Sequence, residues 1–184
     1  MKQRLEDEQH EEFLQRLRRM HQDLGIPRDW VEQSRLPLQR EPPVLVDTEP
    51  DHYQRPQKLT PAALKAWREM KQAAAGAQVE FFLISAFRSA EYQQGLFAKK
   101  LAAGQKIEEI LRVNAAPGFS EHHSGRAIDI GSPECRALEE EFEDTAAYRW
   151  LCANAAGYGF FLSYPRDNPS GIRYEPWHWC YRDS

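Results

Sequence analysis

The chain has 184 residues, 41% of them hydrophobic and 11% aromatic, with a formal net charge of −4. That length suits one domain with an appendage and a core that stands without staples, and the composition argues against a disordered chain. With no basic block, a nucleic-acid or anionic-membrane partner is not expected. Cys135, Cys152 and Cys180 have no paired spacing, which argues against a disulfide framework and suits three buried thiols in a reducing compartment.

The chain begins Met1-Lys2-Gln3-Arg4-Leu5-Glu6-Asp7-Glu8, with acids where a secretory signal needs an apolar stretch. No apolar run approaches membrane-spanning length. The expectation is a soluble, cytoplasmic protein, or a periplasmic one if an export signal has been trimmed away. Residues 2–24 read as a helix. Phe13, Leu17, Met20 and Leu24 form one narrow apolar stripe, the acids Glu6, Asp7, Glu8, Glu11 and Glu12 gather early, and Arg16, Arg18 and Arg19 come late. Gly25 and Pro27 stop it. The stripe suits a helix laid on the domain surface, with a dimerisation or partner helix as the second reading. Residues 36–57 are expected to form an extended connector, since Pro37, Pro42, Pro43, Pro50 and Pro56 deny it regular ladders. It should wrap the domain, because Val44, Leu45 and Val46 want cover.

The compact domain, residues 58–184, opens with Thr60-Pro61, an N-cap followed by proline at the first helical position. Ala63, Trp67, Met70 and Ala74 line the buried face of that helix, and Gly76 ends it. Val79 to Ser85 reads as a buried strand that delivers Arg88 just past its end. Ser89 caps a helix to about Ala103, with Leu96 and Leu101 facing inward, and Ile107, Ile110 and Leu111 suit a short one. Residues 114–119 are a loop. Ala127 to Ile130 reads as a strand with Asp129 on the face opposite Ile128 and Ile130. Residues 132–144 look like a solvated acidic excursion. Thr145 caps a helix to Ala156, with Trp150 and Leu151 facing the core, and strands follow at Phe160–Tyr164 and Tyr174–Tyr181 around a turn-rich segment at 165–171. Segregated helices and strands, the last two joined by a turn, predict an α+β domain with a small, mostly antiparallel sheet and flanking helices.

Chemistry concentrates in Ser120-Glu121-His122-His123-Ser124-Gly125-Arg126-Ala127-Ile128-Asp129 and in Glu175-Pro176-Trp177-His178-Trp179. A catalytic zinc takes three protein ligands and leaves a place for water. His122, Asp129 and His178 supply three ligands of the right kind. Gly125 allows a tight turn between the first two, and the third comes from a distant strand. Glu175 and His178 are three apart and would point to opposite faces of a regular strand. Pro176 rules out a helix and disturbs the ladder, so a bulge or twist is needed to bring both into one pocket. Glu175 would then take a proton from water and pass it to the leaving amine. Trp177 and Trp179 are expected as apolar walls that exclude water and orient the histidine.

The combined pattern, Ser120-x-His122-x-x-Gly125-x-Ala127-x-Asp129 with Glu175-Pro-Trp-His178-Trp179 and an upstream Ser85-Ala-Phe-Arg88-Ser89, closely resembles the VanY-like D-alanyl-D-alanine metallocarboxypeptidases. Their superfamily also includes D-Ala-D-Ala dipeptidases, phage endolysin peptidases and the zinc fold of hedgehog signalling domains. The match runs from about Thr60 to Tyr181. The resemblance implies a hedgehog/DD-peptidase-like fold and one Zn2+ held by His122, Asp129 and His178, with Glu175 as general base. It also implies that Arg88 stabilises the scissile carbonyl, that Ser120 contacts substrate near its terminal carboxylate, and that Gln93 contacts substrate as in part of the family. An arginine aimed at developing negative charge is chemically suited to that task. His123 is the competing histidine and reads as a wall residue, and Arg126 as a surface charge.

The family trims D-alanine from peptidoglycan peptides, so a muropeptide or stem peptide is the implied partner. A DD-carboxypeptidase loose in the cytoplasm would destroy pentapeptide precursors, whereas an LD-carboxypeptidase would process recycled tetrapeptides. The expectation is therefore an LD-carboxypeptidase of cytoplasmic wall recycling. The alternatives are a DD-carboxypeptidase acting on D-Ala-D-Ala ends, an endolysin-like endopeptidase, and a non-catalytic zinc-binding protein. The endopeptidase reading would usually bring a wall-binding module, and the non-catalytic one does not explain an intact Glu175 and Arg88.

Overall fold

The computed structural model describes residues 2–183, with side chains from position 9 onward. The early acids Glu6, Asp7 and Glu8 therefore lie outside the described side chains. Helix α1 runs Lys2–Asp23 and a single turn, α2, covers Trp30–Gln33. Strand β1 is Val46–Asp47 and β2 is Lys58–Leu59, followed by α3 at Pro61–Gly76 and β3 at Phe82–Ser85. Helices α4 (Ala90–Ala102) and α5 (Ile107–Leu111) precede a 3-10 turn at Glu121–Ser124 and β4 at Ala127–Gly131. A second 3-10 turn at Glu140–Asp144 leads into α6 (Ala146–Asn154), then β5 (Phe160–Leu162) and β6 (His178–Tyr181).

The main sheet has four strands in the order β3-β4-β6-β5, with every neighbouring pair antiparallel. This is the α+β architecture expected from the segregated pattern. The three caps form as read. Thr60, Ser89 and Thr145 accept from the backbone N–H groups of Ala63, Tyr92 and Tyr148, fixing where α3, α4 and α6 begin. One face of the sheet packs Leu83, Ile128, Ile130, Phe160 and Trp179 against Trp67 and Met70 of α3 and Leu151 of α6. Each large side chain buried there contributes about 1.5–3 kcal/mol. The opposite face carries Asp129 and His178 alongside Phe82, Ile84 and Cys180.

The apolar stripe of α1 is covered by the domain itself. Leu17 and Met20 pack with Ala90, and Leu24 joins Phe97, Ile110 and Phe119 in a second cluster. His21 Nε2 lies 2.8 Å from the Pro117 carbonyl. The surface-helix reading therefore accounts for the stripe.

Several expectations are corrected. The connector does form a ladder, β1 with β2, because its prolines bracket the paired residues and leave their amides free. It covers the outer edge of β3: His52 N donates to Leu83 O and Arg55 Nη2 to Ile84 O. Val46 packs on the core, whereas Val44 is exposed. The strand expected from Val79 starts only at Phe82, since Val79 N still bonds to Ala74 O at the end of α3. In α4 the fully buried residues are Ala90, Gln93 and Phe97, with Leu96 and Leu101 only half-buried. The acidic excursion is not simply solvated: its 3-10 turn drives Phe142 into the core and carries Leu138 to Glu140 to the rim of a cleft.

Candidate active site and metal centre

The sheet face away from this core carries the site. Within β4 the pleat sends Ile128 and Ile130 into the core and Asp129 to the other side. The register sets Asp129 directly opposite His178 of β6. Glu175 reaches the same place by a route the sequence reading did not anticipate. His178 N donates to Glu175 O at 3.1 Å, closing a β-turn with Pro176 and Trp177 at its centre, so β6 begins only at His178 and no bulge is needed. Proline is favoured at the second position of such a turn because its φ is already set. His122 lies in the 3-10 turn, which ends on Gly125 in a left-handed conformation (φ +64°) that ordinary residues adopt only under strain. A side chain there would also meet Leu45 Cδ2 at 2.7 Å.

His122, Asp129 and His178 are all buried, and one ligand atom from each lies within 4.8 Å of the others. Their hydrogen bonds fix which ring atoms are available. His122 Nδ1 faces the Ala86 carbonyl at 2.6 Å, and a carbonyl only accepts, so the proton is on Nδ1. His122 Nε2 then presents a lone pair that has no hydrogen-bond partner, 3.2 Å from Asp129 Oδ2. Two electron-rich buried atoms at that separation call for a cation between them. His178 is arranged the other way round. Its Nε2 donates to Glu121 Oε2 at 2.9 Å, which turns Nδ1 toward Asp129 Oδ1 at 3.1 Å. A carboxylate on the far nitrogen of a metal-binding histidine fixes its tautomer and raises its basicity. Two imidazoles and a carboxylate, with their ring protons directed outward, are a donor set that fits zinc.

The electrostatics follow. Burial lowers the pKa of His122 to about 4, assisted by the Arg88 charge. For His178 burial also opposes the charge, but hydrogen bonds to Asp129 and Glu121 outweigh it and raise the pKa to about 10. Burial raises Asp129, yet its contacts with His122, His178 and Arg88 hold it well below the usual carboxylate range. Glu121 is likewise opposed by burial, but its bond to His178 brings it down to about 2. Two ionised carboxylates beside a neutral His122 favour a divalent cation, which would displace the Nδ1 proton of His178 on binding. Glu175 differs. Burial dominates and pushes it up to about 7, near the value that suits a general base at neutral pH. Its Oε2 lies 3.9 Å from His178 Nδ1.

A cleft of about 370 Å³ opens over the centre. It brings together six of the residues singled out in sequence, Arg88, Gln93, Ser120, His122, Asp129 and His178, and Glu175 completes the set. Arg88 Nη2 lies 3.2 Å from Asp129 Oδ2, so its guanidinium stands beside the ligand set, and its buried Nε has no partner. Gln93 Nε2 donates to Ala115 O at 2.9 Å, leaving Oε1 buried without a partner. Ser120 is buried at the start of the 3-10 turn. His123 stays out of the ligand set: its Nδ1 donates to Arg88 O at 2.5 Å. Trp177 lines the cleft, but Trp179 does not. Trp179 lies on the core face, one residue out of phase with His178, and its indole donates to Pro176 O at 3.0 Å. Glu121, Lys100 and Tyr164 were not singled out from sequence. Tyr164 packs on the His178 ring with centroids 4.8 Å apart, and burial raises its pKa. For Glu121 the signal was its place between Ser120 and His122. Lys100 gives none without the fold.

The profile of the VanY family, described as D-alanyl-D-alanine carboxypeptidase, matches residues 56–184. The bifunctional D-Ala-D-Ala dipeptidase and D-Ala-D-Ala carboxypeptidase VanXYC of Enterococcus gallinarum is 32% identical over 128 residues, 67% of this chain and 66% of that protein. The LD-carboxypeptidase LdcB, solved for its peptidoglycan recognition, superposes with a TM-score of 0.69 at 30% identity, covering 77% of this chain and 69% of that one. A D,D-pentapeptidase VanY variant from a VanB-type resistance cassette, solved with Zn(II), gives 0.59 at 25% identity, covering 78% and 85%. Two further curated carboxypeptidase relatives are longer, and the match spans 44% and 38% of their lengths.

Proposed function

The chain belongs to the VanY family of D-alanyl-D-alanine carboxypeptidases, and from that premise we propose that it is a zinc-dependent carboxypeptidase releasing the C-terminal D-alanine of peptidoglycan stem peptides. The observation that carries this reading is the meeting of the His122, Asp129 and His178 donors with Glu175 and Arg88 in one cleft. His122 Nε2, His178 Nδ1 and an Asp129 carboxylate oxygen would hold the ion. Zinc bound there supplies Lewis acidity and brings the pKa of water down to about 7. Glu175, raised by burial, takes the proton of the attacking water and returns it to the amide nitrogen as the peptide bond breaks. Arg88 donates to the scissile carbonyl oxygen as negative charge builds on it, and its contact with Asp129 holds it there in advance. Gln93 Oε1 offers an acceptor to a substrate N–H, and Ser120 lies where it can donate to the terminal carboxylate.

Within this reading the preferred substrate is a tetrapeptide whose terminal D-alanine follows the L-centre of a diamino acid, making the enzyme an LD-carboxypeptidase. The likeness to the LD-carboxypeptidase LdcB supports it. Such specificity would leave pentapeptide precursors intact and is compatible with recycling in the cytoplasm. The DD alternative is kept open by the D-Ala-D-Ala activities named for VanXYC. Zinc-loaded protein incubated separately with tetrapeptide and pentapeptide muropeptides, with products weighed by mass spectrometry, decides between them. D-alanine from tetrapeptide is expected, and release from pentapeptide alone would replace the LD reading by the DD one. Glu175→Gln should lower kcat by roughly 10²- to 10⁴-fold with zinc retained. Unchanged turnover would remove Glu175 from the mechanism.

A further inference from the structure

Lys100 stands on the wall of the same cleft and has no role in the chemistry above. It lies seven residues after Gln93 on α4, which returns it to the same helix face, and long side chains on a helix lean back toward its N-terminus. Its ammonium therefore extends from the Gln93 side of the cleft. Lys100 is half-buried, yet among the described residues it makes no ion pair within 4 Å. A partly desolvated cation without a counter-ion is costly unless a ligand brings one. Burial accordingly lowers its pKa, as does the nearby Arg88 charge, while Glu175 opposes them.

Two of the cleft's other donors are committed. Arg88 Nη2 is on Asp129 beside the metal ligands, and the Gln93 amide nitrogen is spent on Ala115 O, so Gln93 shows the cleft only an acceptor. Carboxylates crowd the reacting end, with Asp129 and Glu175 both facing it. Arg88 and a bound zinc would offset these at the scissile carbonyl, and a free carboxylate one residue further along the substrate calls for a cation of its own. Arg173 also lines the cleft but is exposed.

We propose that Lys100 is the specificity residue that pairs with the free α-carboxylate of the substrate's terminal D-amino acid, and so restricts the site to chain ends. This rests on the carboxypeptidase reading. It also gives that reading a physical basis, since an internal peptide bond brings no anion to Lys100.

The test measures binding, so that it does not depend on turnover. Zinc-loaded Glu175→Gln protein is titrated calorimetrically with one stem tetrapeptide ending in D-alanine, as the free acid and as the C-terminal amide. Lys100→Met, Lys100→Arg and Arg173→Met are compared in the same background. With Lys100 intact the acid should bind roughly 10- to 100-fold tighter than the amide, the range for a hydrogen bond to a charged group. Lys100→Met should abolish that preference by weakening the acid alone, Lys100→Arg should keep most of it, and Arg173→Met should leave it. Equal weakening of acid and amide by Lys100→Met, or loss of the preference in Arg173→Met instead, overturns the assignment while leaving the carboxypeptidase reading intact. Failure of both peptides to bind with Lys100 intact overturns the reading on which it rests.

Discussion

At the scale of single residues, the two adjacent histidines divide the work through the atoms that each ring turns outward. His122 and His123 both donate from Nδ1 to a backbone carbonyl at the end of β3, Ala86 for one and Arg88 for the other, while Arg88 N donates back to His122 O at 3.3 Å. The pair staples the ligand-bearing turn to the segment that carries the arginine. His123 is fully buried and burial lowers its pKa to about 4, so it is a neutral positioning residue for Arg88. His123→Leu would leave Arg88 O buried without a donor, at a cost of about 1–3 kcal/mol in stability. It should also lower kcat for D-alanine release more than it raises KM. His123→Asn, which restores an N–H, should recover part of kcat, and zinc content should be unchanged in both variants. Metal loss in His123→Leu by elemental analysis would make it a ligand-shell residue instead. The sequence pattern aligned His122 with the ligand. It could not give His123 a task, because that task depends on a carbonyl 35 positions earlier in the chain.

At the scale of elements, the site is built where four short pieces meet: the segment after β3, the 3-10 turn, the middle of β4 and the turn into β6. Gly125 joins two of them. Its N–H bonds to His122 O, and its carbonyl accepts from Thr60 N, which ties the ligand turn to the start of α3. Gly125→Ala forces an L-residue into φ +64°, a strain of about 1–2 kcal/mol, while the contact with the flexible tip of Leu45 can relax. Denaturant unfolding should show a lower midpoint with an unchanged slope. A midpoint equal to the parent would mean the backbone re-forms without a left-handed residue there. The caps at Thr60, Ser89 and Thr145 were legible because a cap is a local motif. The end of β3, the delayed start of β6 and the Glu175–His178 turn were not, because strand limits follow from pairing partners and Pro176 is compatible with either a bulge or a turn.

At the scale of the whole molecule, the N-terminal third is bound to the domain by polar anchors, some of them half-buried, as well as by apolar contacts. Glu49 is the clearest of these anchors. Burial raises its pKa, but hydrogen bonds from Thr48, Trp67 Nε1 and Lys71 outweigh that and lower it to about 2. With a folded pKa below the unfolded value, Glu49 contributes stability that is complete above about pH 4.5 and is lost as pH falls toward about 2. The parent should therefore be more stable than Glu49→Gln at pH 6, and the difference should shrink at pH 3. Urea midpoints at the two pH values measure it, and a difference independent of pH would mean that Glu49 acts through shape alone. The described residues include no helix long and apolar enough to cross a membrane.

The sequence by itself determined the fold class and singled out His122, Asp129, His178 and Glu175 as the candidates for ligands and base. Those follow from side-chain chemistry, local periodicity and caps, which are written in short stretches of chain. Only the tertiary structure decided which ring nitrogens face inward, that Glu121 holds His178, that Trp179 belongs to the core, and that Lys100 reaches the cleft. Each depends on residues far apart in the chain meeting across a ladder or a helix face, and that distance is closed by the packing of the whole core.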